Sequence, residues 1–547
     1  MENETKLNGY ETEKEKDSIL ELETEPVQTQ RPPDTKDEED GGVANGDGEG
    51  SRTSGLPFSK ARCIALVLTV TGAAFLNTLG VQAAVIILPT IGAALDIPDS
   101  RQQWIVSAYS LTFGCFLLLW GRLADVYGKR LIFIWGSVWV TVTSLIVPFV
   151  PNEIGFDIFR GLQGLGAAAM VPTAIGILGV TFPPGKAKNY AFSCYGAGAP
   201  LGGIFGNLFG GFLGEYLNWK WVFWVFAVLA FIVTIAGYFV IPLPPVQTEP
   251  ISMSNTVDWI GGTIITIGLV VLLFALSEGN VVGWSTPWVP SLIAVSVVLI
   301  AVFAVWEWYL ETKTQKRPLM KISIFKNVRF SAANIIMLLF FASFNNYLIF
   351  ATYWFQDFLG LSVIQTTIRF IPTGVTGIIV AFITAQLLSR VRGDILLTFG
   401  TISVSIASLL FAIPIPVSTT YWAYGFPAMV LSTCGADTLY PTLTLFTAKS
   451  LPHEDQALGG ALINAVGQVG RAIGLAIATA VQTTVVAREK GLNVEAIGST
   501  GYGLRPGDQA LKLGLRSAEW FNFALGLLAV GVVLVFFRGA GKVGGKH

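Results

Sequence analysis

Residues 121–130 read GRLADVYGKR, a glycine, an aspartate and a basic cluster set between two long apolar runs. Working outward, the block falls between the second and third of fourteen such runs. They lie near 64–90, 102–121, 131–150, 157–181, 190–214, 221–241, 259–277, 288–308, 330–354, 363–388, 395–413, 421–447, 457–486 and 518–537. A helix needs roughly 20 mostly apolar residues to cross the bilayer core, and each run is about that long. A charged loop held between membrane spans reads as a gate element rather than a catalytic site. The chain is therefore expected to be an all-α, multi-pass membrane transporter with 14 transmembrane helices.

Composition points the same way. Of 547 residues, 52% are hydrophobic and only 13% charged, with a mean hydropathy of +0.60; a soluble chain would carry roughly a quarter charged residues. The net charge of −1 hides an asymmetry. Residues 1–50 hold 16 of the 36 acids and 5 of the 35 bases, about −11, which leaves 20 acids and 30 bases beyond them, about +10. The segment 1–57 is polar and poor in aromatics, so it cannot bury enough apolar surface to offset ordering entropy and reads as a disordered acidic cytoplasmic tail. No signal peptide is visible, and insertion is expected through the first span.

The four cysteines, Cys63, Cys115, Cys194 and Cys434, lie far apart in or beside apolar runs and read as small packing residues, with no metal spacing or disulfide framework. His453, beside Glu454 and Asp455, reads as a solvated loop residue. No GxxxxGK[ST] loop, ligand cluster or nucleophile constellation is present, so no enzyme activity, cofactor, metal or nucleic-acid partner is expected.

The runs fall into six, two and six. Expected domains are a six-helix bundle at 58–241, a linker with two transmembrane helices at 242–312, a second six-helix bundle at 313–540, and a short tail at 541–547. The sets of six look like a repeat. The second-to-third junction of the second set reads SRVRGD, Ser389 to Asp394, and the fourth spans share VPT (Val171–Thr173) against YPT (Tyr440–Thr442). Both fifth spans are glycine-rich. Parallel halves of this kind are a transporter signature. Placing the N-terminus inside gathers Arg122, Lys129, Arg130, Lys186, Lys188, Lys313–Arg329, Arg390, Arg392 and Lys449 in the cytoplasm, as basic loops require, with both termini on that side.

In the 121–130 block, Gly121 and Gly128 allow close approach and a turn, Asp125 is placed to meet the positive end of a neighbouring helix or an arginine, and Arg122, Lys129 and Arg130 are expected in headgroup water. The block closely resembles the cytoplasmic loop motif of the major facilitator superfamily, in which it holds the inward gate shut; Val126 stands where that family often has arginine. Residues 158–169, IFRGLQGLGAAA, resemble the fourth-span motif of the family, whose arginine is linked to proton movement. Arg160 and Gln163 sit three apart, on one face. In the fifth span Gly198, Gly202, Gly206, Gly210 and Gly214 follow one ridge at steps of four, suited to backbone contact between membrane helices. Pro200 adds a kink. GAPLGG, Gly198 to Gly203, resembles the motif that marks exporters, with Ala199 in place of its usual glycine. Fourteen spans and this motif make the chain similar to the drug:proton antiporter family, fungal efflux-pump type.

Further polar groups suggest a cavity between the halves. Substrate-cavity candidates are Asn77 and Gln82 in the first span, Asn345 and Asn346 in the ninth, and Asn464 and Gln468 in the thirteenth. Many members of the antiporter family have aspartate where Asn77 stands. Asp437, deep in the twelfth span, is the preferred second titratable site and Arg471 its possible partner; with Arg160 and Gln163 they are the proton-coupling candidates. Trp219, Trp221, Trp284, Trp288, Trp354, Tyr421 and Trp422 mark span ends and read as interfacial anchors.

The resemblance implies a proton-coupled secondary exporter of a small organic molecule (a drug, toxin or secondary metabolite) working by alternating access. Its partners would be that small molecule, protons and the lipid bilayer, and it would be a monomer in the plasma membrane. Two alternatives stand beside it: an importer or facilitator of a small solute such as ammonium or borate, and a non-transporting membrane sensor.

Overall fold

In hydrocarbon every backbone N–H and C=O must be satisfied within the segment, so apolar runs of this length become helices. The computed structural model describes residues 57–543 apart from 98–101, 103, 244–256, 315, 417–418, 453–454, 493, 495–505 and 540. The expected acidic tail, save Pro57, and His453 lie outside the described residues. Fourteen helices of eighteen or more residues stand among those described. The first six are α1 (Lys60–Ile86), α2 (Trp104–Tyr127), α3 (Lys129–Ile146), α4 (Glu153–Thr181), α5 (Lys186–Tyr216) and α6 (Lys220–Val240). The linker pair is α7 (Trp259–Val282) and α8 (Trp288–Lys313). The last six are α9 (Val328–Tyr353), α10 (Val363–Arg390), α11 (Gly393–Ala412), α12 (Tyr421–Lys449), α13 (Gln456–Lys490) and α14 (Gln509–Phe536).

Twelve of these are long and apolar enough to cross a membrane by composition alone. The two others are α5, diluted by glycine, and α12, which carries Pro427, Pro441 and several threonines. Both pack against helices of the two bundles, so Gly198, Gly202 and Gly206 of α5 and Thr438 and Thr442 of α12 are set against protein.

Helix ends differ from the apolar runs where polar residues continue the helix. GRLADVYGKR, expected as a loop, stays helical through Tyr127; only Gly128 breaks it, at φ 101°, a left-handed conformation that glycine adopts without a Cβ clash. The expected long loop from Arg488 to Ser517 is shortened from both sides, because α13 runs to Lys490 and α14 starts at Gln509, capped by the Asp508 side chain on the Ala510 N–H. A π-helical turn, Trp354–Phe358, extends α9 and carries Gln356 and Asp357.

The halves repeat a packing device. α1 lies on α5, where an added Cβ at Gly206 would sit 2.8 Å from the Leu79 carbonyl oxygen. α9 lies on α13 in the same way, with Gly474 against the Ala342 carbonyl oxygen at 2.6 Å. Glycine at these contacts lets the backbones touch. Two seams join the bundles: α2 with α13, and α5 with α10. The linker helix α7 packs on both α2 and α13, along the first seam.

Candidate functional site

The first seam places the 121–130 motif against the start of α13. Asp125 accepts hydrogen bonds from the Ala457 N–H at 3.2 Å and the Leu458 N–H at 2.8 Å, two of the donors that a helix N-terminus leaves without an internal partner. Lys129 closes on the same carboxylate at 2.6 Å. Arg122 pairs with Asp455, the residue preceding α13, at 3.2 Å. Arg122 is buried, not in headgroup water as its charge suggested, because Gly121 brings α2 into backbone range of Ala457 and Ala461. Arg130 reaches back within its own bundle, donating to the Tyr238 carbonyl at 2.6 Å. Hydrogen bonds to charged groups contribute about 1.5–3 kcal/mol each, so the motif clips one end of the first bundle to the second.

Arg160 lies inside the first bundle, 1% exposed. An arginine at the centre of a membrane helix costs about 2.5–3.5 kcal/mol on insertion scales, which fixed partners must offset. Here Nε donates to the Ile105 carbonyl at 2.8 Å, Nη1 to Gln163 Oε1 at 2.7 Å, and the guanidinium stands 5.0 Å from the Tyr109 ring. Gln163 passes the chain to Ser144 at 2.9 Å, and the Tyr109 hydroxyl donates to Asn77 Oδ1 at 2.9 Å. One polar path therefore runs from Asn77 in α1 through Tyr109 and Arg160 to Ser144 in α3. Tyr109 and Ser144 were not singled out in the sequence; no periodicity separates them from other span hydroxyls.

Asp437 faces the second seam. It is 3% exposed, and its Oδ2 has no hydrogen-bond partner. An added Cβ on Gly377 of α10 would lie 2.8 Å from that oxygen and 3.7 Å from Pro200 of α5. The carboxyl thus sits where the kink of the GAPLGG run meets the second bundle. Arg471 is turned elsewhere: its guanidinium stacks over Phe341 at 4.3 Å.

Asn464 accepts from the Tyr440 hydroxyl at 3.3 Å, and Tyr440 stacks on Tyr195 across the halves at 6.5 Å. Gln468 packs on Gly114 of α2, and Gln82 on Gly206. Asn77, Gln82, Asn345, Asn464 and Gln468 are all half-buried. Asn346 is fully buried and bonds the Ala342 carbonyl of its own helix at 2.5 Å, which removes it from an open cavity. Along α5, Gly198, Gly202 and Gly206 seat directly on α1, while Gly203 faces Thr78 and Gln82 at ordinary contact distance. Of the expected anchors, Trp219 and Trp354 are buried instead, Trp354 donating to the Tyr424 hydroxyl at 3.2 Å; Trp221, Trp288 and Trp422 are exposed. Two buried carboxylates had no sequence signal at all: Glu519, bonded by Asn522 at 3.1 Å inside the second bundle, and Glu307 of α8, bonded by the Met320 N–H at 3.1 Å.

Comparison with known proteins follows the same lines. Residues 70–475 match the family model described as Major Facilitator Superfamily. A low affinity ammonium transporter of Saccharomyces cerevisiae is 32% identical over 427 residues, covering 77% of this chain and 82% of that one. The efflux pump terJ of Aspergillus terreus is 27% identical over 488 residues, 88% of this chain and 89% of that one. Among solved structures, the human organic anion transporter MFSD10 superposes with a TM-score of 0.58 at 14% identity, over 86% of this chain and 99% of that one, a likeness of fold.

Proposed function

The chain belongs to the major facilitator superfamily, and from that premise we propose that it is a proton-coupled secondary active exporter of a small organic molecule. The observation that carries the reading is the first seam. Asp125 and Arg122 clip the two bundles together at one end through side-chain bonds to the start of α13. Opening one seam while the other stays closed would expose a central path to one face at a time. The bundles 58–241 and 313–540 are the moving bodies and 242–312 the linker. The motif end faces the cytoplasm, both termini lie there, and the protein works as a monomer in the plasma membrane.

Proton coupling requires a group whose protonation favours one state over the other. Asp437 supports that role: it is a carboxyl with an unpartnered oxygen at the seam that must open. The Arg160–Gln163 path supports a fixed positive charge within the first bundle. Export is supported by the GAPLGG run on α5 and by efflux-pump relatives such as terJ. The test is transport in energised inside-out vesicles. Substrate accumulation that collapses with a protonophore supports the antiporter; accumulation indifferent to the proton gradient removes it.

A second reading has its own support. The 32% identical relative is an ammonium transporter, and Asn77 offers no titratable group at the head of the Tyr109 path. On this reading the protein is an importer or facilitator of a small solute. Downhill methylammonium uptake without proton-driven efflux of organic cargo would favour it.

A further inference from the structure

The linker pair sits over the seam that holds the clip. α7 lies against α2 and α13, and Leu319 and Met320, after α8, pack into the same apolar cluster as residues of those helices. Pro318, Leu319 and Met320 are buried there, and the Met320 N–H donates to Glu307 Oε2 at 3.1 Å. Glu307 is itself fully buried on α8. The backbone between Arg317 and Lys321 is thereby fixed in place.

Those two cations, Arg122, Asp455, Pro452 and Leu319 line one recess of about 60 Å³. A water needs about 10–15 Å³ of such space, so the recess holds roughly four to six non-hydrogen atoms, the size of a phosphate group. Among the described residues that line it are three cations and one carboxylate. Asp455 engages only Nη1 of Arg122, at 3.2 Å, and Nε of that buried guanidinium has no partner. The Ala457 and Leu458 N–H groups at the start of α13 are already bound by Asp125, so recognition would fall to the side chains. Guanidinium groups favour planar, multi-oxygen anions and ammonium groups add a point charge.

We propose that this recess binds an oxyanion of the phosphate class, and that the bound anion ties the segment after the linker pair to the closed first seam. The anion is a regulator held by Arg317, Lys321 and Arg122, distinct from the transported cargo. Free phosphate and the headgroup of an anionic lipid offer the same chemistry at this position.

The experiment uses the full chain in phosphatidylcholine nanodiscs and reads the unfolding temperature. One arm titrates inorganic phosphate against chloride at constant ionic strength. The other replaces part of the phosphatidylcholine with phosphatidic acid and omits free phosphate. At least one arm should raise the unfolding temperature by roughly 3 °C, and the arm that responds identifies the source. The R317Q/K321Q variant should weaken that response about tenfold, K321Q alone should weaken it less, and R317K/K321R should retain it. No response in either arm, or the same response in R317Q/K321Q, overturns the proposal. The readout is binding, not flux, so its failure leaves the transport reading standing.

Discussion

The two seams between the bundles are built from opposite chemistry. Along α2 and α13 the contact is ionic and directional: Asp125 holds two helix-terminal N–H groups and Lys129, and Arg122 holds Asp455. Along α5 and α10 it is small and apolar, with Gly374 against Ile204 and Gly377 against Pro200, and Asp437 of α12, which faces it, keeps an oxygen without a partner. A seam stitched by paired charges is stable while it stays dry and is released when water or a partner change intervenes. A seam holding an unpaired carboxyl is sensitive to whether that group carries its proton. On the proposed reading, the first seam is the latch and the second the proton-responsive contact.

The most damaging test of this contrast is Asp437→Asn, which keeps the shape and removes the titration. Uphill, proton-driven transport should fall by about 100-fold or to background, while downhill exchange of substrate persists, because coupling needs state-dependent proton affinity. Vesicle accumulation and counterflow assays separate the two. Undiminished accumulation would take Asp437 out of the mechanism.

Next in size is the latch. Asp125→Asn removes the charge that two N–H groups and Lys129 share; at about 1.4 kcal/mol per factor of ten, losing part of that set shifts the state balance roughly tenfold or more. Asp394 is the matching acid of the second half, but it bonds Arg392 at 2.6 Å and the Gly539 N–H at 3.2 Å, inside its own bundle. Asp394→Asn should therefore change initial transport rates by less than about twofold, since exposed pairs contribute little. Equal losses in the two variants would erase the distinction between a cross-bundle and a local junction.

This pair of acids also marks what sequence could and could not carry. GRLADVYGKR and SRVRGD occupy matching junctions, and the fourteen apolar runs mapped onto fourteen helices because hydropathy and backbone satisfaction act on each segment by itself. Partners did not read out, since they join residues more than 300 positions apart: nothing local says that Asp125 meets Leu458 or that Arg122 meets Asp455. Spacing by turns placed Arg160 and Gln163 on one face correctly, for that is a property of one helix. It could not say that Arg471 turns to Phe341 and away from Asp437, which depends on how α12 and α13 rotate against their neighbours. Glu307 and Glu519 escaped notice for the same reason, their burial being decided by other helices.

A smaller effect tests how the second seam is positioned. Gly202 on α5 presses on the Phe75 carbonyl of α1, whereas an added Cβ at Gly211, further along the same helix, meets nothing within 4 Å. Gly202→Ala should cost about 1–3 kcal/mol by forcing α5 off α1, carrying Pro200 away from Gly377. Gly211→Ala should be neutral or mildly stabilising through helix propensity. Thermal unfolding in detergent measures both, and equal shifts would mean that the ridge does not hold the seam.

The smallest effect lies at the far end of α13 from the latch. Asp508 precedes α14, accepts the Ala510 N–H at 2.9 Å and pairs with Lys490 at 2.8 Å, joining the end of one helix to the start of the next. The hydrogen bond from Lys490 is the main cause holding its carboxyl below the usual aspartate range. A depressed folded-state value means that the contribution is full above the unfolded aspartate pKa, about 4, and is lost as pH falls through the lower folded value. Asp508→Asn should thus lower the unfolding temperature by roughly 1–2 °C at neutral pH, the scale of a partly exposed pair plus a cap. The gap to the unmodified protein should close below about pH 4. A gap of constant size at every pH would show that the carboxylate charge contributes nothing there, and that the latch at the other end of α13 holds the helix without this tether.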